Sequence, residues 1–214
     1  MKHIYTTIII PATSLLPILI GYKKKVFISK YLAIIFAYLI FAGIMIFPER
    51  ILGSHHINNL PLLHFYTIVE FLFIARYFQK IFQTKLINQV ATLISIVFTI
   101  LSILNFIYIQ DIYQYNSYPR PIAAIIIIFF CIYHIFWQAE KQQEKAWLKQ
   151  PENWITVGLL VYFCSSLFYF AFLNIIYQRP TLTLYFILGD VHATLVLLMY
   201  VLFSKGFLVY KNER

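Results

Sequence analysis

Apolar runs of about 20 residues recur along almost the whole of this chain, and that recurrence constrains the fold more than any single motif. They fall at about 4–22, 31–47, 59–79, 86–109, 120–139, 154–177 and 183–204. Each can carry one helix across the hydrocarbon core of a bilayer, where backbone polar groups must be satisfied within the segment itself. With 61% of residues hydrophobic and only 12% charged, the 214 residues cannot cover a water-facing surface. The expectation is an all-α polytopic membrane protein, one seven-transmembrane helix bundle over residues 1–214. The alternating strand pattern of an outer-membrane barrel is not in the sequence.

The first run starts with a basic residue, but Lys23, Lys24 and Lys25 follow it rather than a small-residue cleavage pattern. It reads as a retained helix kinked at Pro11 and Pro17. The third run is expected to start with Asn58 or Asn59 as cap and Pro61 in its first turn, where the missing donor is harmless. Between the fifth and sixth runs lies EKQQEKAWLKQPEN, residues 140–153. This charged connection is predicted to extend a helix, break at Pro151 and restart with Asn153 as cap, with Trp137, Trp147 and Trp154 at interface depth.

The formal charge of +9 sits in short blocks between apolar runs, so it reads as a topology signal and argues against nucleic acid. Of the 17 Lys and Arg, all but Lys2, Arg50, Arg120 and Arg179 fall on one side. By the positive-inside rule the amino terminus is outside and the carboxyl terminus cytoplasmic, in a bacterial inner membrane. The cytoplasmic side is then expected to hold only short loops and a tail. Any signal would pass to a signalling partner, with 140–153 as the surface it reads.

Glu70 falls near the middle of the third run, where an ionised carboxylate costs on the order of 2.5–3.5 kcal/mol and marks a functional position. His64 and Thr67 share with it an arc of about 120°, so one outward-facing cavity can see all three. The seventh run carries Asp190 and His192, which about 200° of helical rotation separates, so only one of them can face that cavity. These five residues form the candidate ligand- or proton-binding site. Asn105 and Asn174 fall near the same end and either line that cavity or hydrogen-bond the neighbouring backbone. His134 reads as a satisfied interface histidine, Cys131 and Cys164 as small apolar residues, and Arg76 as a snorkelling cation. The Tyr-rich loop QDIYQYNSYPRP either caps a pocket or lies among headgroups.

Three functions fit this pattern. The leading one is a sensor or receptor-like subunit in which a ligand or proton shifts Glu70 and a histidine partner. The second is an intramembrane metal-dependent lipid hydrolase with zinc on His64, His192 and Asp190 or Glu70. The third is a small proton-coupled transporter. In topology the chain resembles microbial rhodopsins, but it has no lysine in the middle of its last run for retinal. It is also similar to intramembrane zinc hydrolases of the alkaline ceramidase and adiponectin-receptor type, although the last run has His192 alone rather than an HxxxH pair. No cofactor is predicted under the leading function.

Overall fold

A computed structural model describes residues 5–141, 147–178 and 182–211. Among these residues all regular structure is helical. Residues 142–146 of the charged connection, Arg179, Pro180 and the side chain of Asn174 lie outside the described residues, as do Lys2, Lys145 and Arg214 of the charge count.

The long helices follow the apolar runs. They are α1 (Leu15–Lys23), α2 (Leu32–Ser54), α3 (Leu60–Phe82), α4 (Lys85–Tyr108), α5 (Pro119–Lys141), α6 (Pro151–Gln178) and α7 (Leu182–Val209). Six of them, α2 to α7, are long and apolar enough to cross a bilayer. The first run is helical from Tyr5 to Lys23 but irregular, as its prolines predict: a π-helical turn over Tyr5–Ile9, a short helix over Ile10–Thr13, and the nine residues of α1, with Ser14 between them still in helical φ and ψ. Pro11 and Pro17 each remove a backbone donor, and at the junction Ser14 and Thr13 turn their hydroxyls back on Pro11 O and Ile10 O, both at 2.6 Å.

Local chemistry sets the other boundaries. α2 continues through Pro48 to Ser54, longer than the expected 31–47. At α3, Asn59 is the flanking residue, but Asn58 does the capping: its Oδ1 accepts from Leu60 N at 2.9 Å. Thr84 caps α4 by accepting from Ile87 N. Pro151 opens α6 rather than interrupting a helix, and Asn153 lies inside the first turn with its amide donating to Trp147 O at 3.0 Å.

Packing closes a ring of α1, α2, α3, α5, α6 and α7, with α1 against α7 and α3 against α5, while α4 lies outside against α3 and α5. Close approach in the ring depends on small residues. A Cβ on Gly21 would stand 2.8 Å from the Phe36 ring, and one on Gly158 would stand 2.9 Å from Phe203. The buried core runs through the ring as Ile35, Leu39, Phe71, Ile74, Phe78, Phe163 and Phe203. α3 sits between α2, α4 and α5, so its midpoint faces the interior of the molecule.

Candidate functional site

Glu70 lies midway along α3 and is 1% exposed. A carboxylate so placed needs both oxygens satisfied, and three helices besides its own supply the donors. Its Oε1 accepts from the hydroxyls of Tyr38 on α2 at 2.7 Å, Tyr66 on α3 at 3.1 Å and Tyr162 on α6 at 3.1 Å. Its Oε2 accepts from Arg120 Nη1 of α5 at 2.5 Å, a salt bridge between two buried side chains.

Arg120 is the second residue of α5, yet it is 2% exposed. Its remaining donors are also used: Nε donates to Ser166 Oγ at 3.2 Å, Nη2 to the Tyr162 hydroxyl, and Nη1 reaches Thr67 Oγ1 at 3.5 Å. The guanidinium also faces aromatic rings, with centroids of Phe170 at 5.0 Å, Tyr66 at 5.6 Å and Tyr162 at 5.7 Å. Every charge-bearing atom of the pair is thus bonded to protein, and the pair ties α3 to α5 with α2 and α6 around it.

A helix can begin this far inside because the 109–118 loop folds back into the bundle. Asn116 is buried and its amide donates to Thr67 Oγ1 at 3.1 Å. Gln114 O accepts from His64 Nε2 at 3.1 Å, Tyr113 O accepts from the Asn58 amide at 3.1 Å, and Gln110 Nε2 donates to Tyr115 O at 2.7 Å. The loop is therefore tied to the start of α3 through Asn58, His64 and Thr67, while its Tyr113 and Tyr118 side chains stay exposed.

The expected site residues divide accordingly. Thr67 and Glu70 share one network through Arg120 and Asn116. His64 is buried but bonds to the loop and packs edge-on to Phe106, with no contact to Glu70. His192 turns toward α6: its Nδ1 pairs with Ser165 Oγ at 2.9 Å, its ring stacks on Tyr169 at 4.9 Å, and Tyr162 and Phe170 lie at 5.8 Å. It therefore borders the Arg120 cluster through shared aromatic rings. Asp190 is half-buried, its backbone carbonyl accepts from Thr194 Oγ1 at 2.7 Å, and among the described residues no hydrogen bond or ion pair joins it to Glu70, His64 or Arg120. Among the described residues no three His, Cys, Asp or Glu side chains converge, so His64, His192 and Asp190 do not assemble the metal set considered for them. Asn105 is buried, with its amide donating to Gln110 Oε1 at 3.4 Å, and so supports the loop rather than lining open space.

Arg120 is the residue that sequence reasoning misses. As a cation beside a loop it counts as a topology signal, whereas its burial removes it from either surface. The available signal is the need of Glu70 for a counter-charge, which sequence alone leaves shared between Arg50, Arg120 and Arg179. Tyr38, Tyr66 and Tyr162 are likewise indistinguishable in sequence from the many aromatic residues that only pack.

A second polar cluster lies at the end of the ring away from the 109–118 loop. Buried His134 pairs with Thr156 Oγ1 at 2.9 Å and with the Gln138 amide at 3.3 Å. Gln138 in turn donates to Gln150 Oε1 at 3.1 Å and Glu152 Oε1 at 3.4 Å. The Glu152 Oε2 accepts from the Tyr31 hydroxyl at 3.2 Å, and Glu152 O accepts from Tyr77 of α3 at 3.4 Å. Burial first, and then the nearby Glu152 carboxylate, holds the Tyr31 hydroxyl protonated well above the ordinary tyrosine range.

Compared with protein-family models, with curated proteins and with solved structures, the chain matches none.

Proposed function

We propose that this multi-pass membrane protein is a sensor or receptor-like subunit, with the Glu70–Arg120 pair as the lock that its stimulus opens. The observation that carries this reading is the saturation of the pair: four donors on Glu70, and acceptors for each nitrogen of Arg120. A carboxylate that activates water or carries a substrate proton needs a free lone pair facing that substrate. A two-state switch needs a discrete set of bonds whose loss repacks several helices together, which is what this cluster supplies.

In mechanism, a proton on Glu70, or a ligand with a charged group that competes for Arg120, would cancel the attraction between α3 and α5. The 109–118 loop, hung on Thr67 and His64 of α3, would then loosen. Tyr77, two turns along α3 from Glu70, would carry the displacement to Glu152 at the other end. We place that end in the cytoplasm of a bacterial inner membrane, with a partner reading the 140–153 connection. The excess of Lys and Arg on that side supports this orientation.

Hydrogen exchange in nanodiscs tests the reading. Glu70→Gln, which removes the charge but keeps the shape, is expected to exchange faster than the wild-type protein at the amides of 109–118 and of the start of α5. Protection that is equal in both proteins would reject the lock.

A further inference from the structure

We infer that the groove between α3 and α4, at the end away from the 109–118 loop, binds one anionic phospholipid. Two adjoining cavities of about 390 and 690 Å³ share Thr92 and Ile96 along this face. The first is lined by Arg76 and Gln79 and continues past Ser95 and Thr99 to Leu72 and Ile100. The second, at the turn between the helices, is lined by Lys85, Asn88 and Gln89. The groove is therefore cationic toward the turn and apolar along the helices, and among the described residues no acidic side chain lines either cavity.

Arg76 and Lys85 are both exposed, and among the described residues neither pairs with a carboxylate. Arg76 stands six residues before the end of α3, on a face that lipid would cover, and its only hydrogen-bond partner among the described residues is Gln79, whose Oε1 accepts from Nη1 at 3.0 Å. Gln79 is fixed for this role because its amide donates to Thr92 Oγ1 at 2.9 Å and to Asn88 O at 3.3 Å. The guanidinium thus keeps donors free beside a fixed amide, in a setting where an unneutralised cation is costly. A phosphodiester between Arg76 and Lys85 supplies the counter-charge, and its acyl chain follows Leu72, Ile96 and Ile100. Inorganic phosphate would satisfy the cations but leave that apolar track unused.

Native mass spectrometry of the full chain tests this with phosphatidylglycerol and phosphatidylcholine of identical acyl chains. The wild-type protein is expected to retain phosphatidylglycerol in preference. Removing each cation, as Arg76→Gln and Lys85→Gln, is expected to weaken that retention about fivefold. Ile96→Trp keeps both charges and fills the track, and is expected to lower retention of phosphatidylglycerol as well. Equal retention of the two lipids, or undiminished phosphatidylglycerol on the variant carrying both Arg76→Gln and Lys85→Gln, would overturn the assignment. Displacement of phosphatidylglycerol by inorganic phosphate in the millimolar range would overturn it too, in favour of a simple anion site.

Discussion

Removing the Glu70 carboxylate leaves Arg120 buried, still bonded to Ser166 and Tyr162 but without a counter-charge. Breaking one side of a buried pair costs about 3–5 kcal/mol, whereas replacing both partners with apolar groups can be nearly neutral. Glu70→Leu and Arg120→Leu are therefore each expected to lower thermal stability in detergent strongly, and the double variant to lose much less than the sum of the two. Additive losses would mean that the two charges do not depend on each other. At this scale the sequence yields half of the pair. Glu70 stands out because an acid inside an apolar run has a known cost. Arg120 does not, because a cation beside a loop is ordinarily solvated and only the inward fold of 109–118 buries it.

Among the elements, those set by periodicity and length are legible: α2 to α7 each follow an apolar run, although α2 and α7 reach Ser54 and Val209, beyond the expected ends at 47 and 204. The irregularity of the first run is legible too, because its prolines remove backbone donors. One segment is not. The 109–118 loop has the composition of a headgroup segment, yet its amides find buried partners on α3 and α4, a fact of tertiary structure that no local pattern encodes. Contact between α6 and α7 is set by Gly158, where an added side chain meets Phe203 and also Leu202 Cβ at 3.3 Å. Gly158→Val is expected to destabilise the protein by about 1–3 kcal/mol through overpacking. A Phe203→Ala change beside it should recover part of the loss in the same melting assay, while no recovery would show that backbone rather than ring contact limits the approach.

Across the whole molecule, one polar cluster sits at the middle of the ring and another at its end away from the 109–118 loop, and α3 contributes to both, with Glu70 in one and Tyr77 in the other. If α3 moves as a rigid rod, the loss of bonds at Glu70 must alter the surroundings of Glu152 and of the helix start that carries it. All three tryptophans of the chain report on that end. Trp137 packs edge-on to Phe82 at 5.5 Å, Trp147 and Trp154 lie 6.1 Å apart, and the Trp154 indole donates to Leu148 O at 2.9 Å. None touches the Glu70 cluster, so intrinsic fluorescence gives a remote readout without a label. Glu70→Gln is expected to shift the emission maximum or its quenching by a water-soluble agent, relative to the wild-type protein. Adding Tyr77→Phe, which removes the hydroxyl bonded to Glu152 O but keeps the ring, is expected to cancel most of that shift. A shift that persists unchanged in the double variant would show that strain reaches this end through α5 and His134 instead. Emission identical in wild type and Glu70→Gln would show that the two clusters are independent, and that the lock at Glu70 has no mechanical route to the connection a partner is proposed to read.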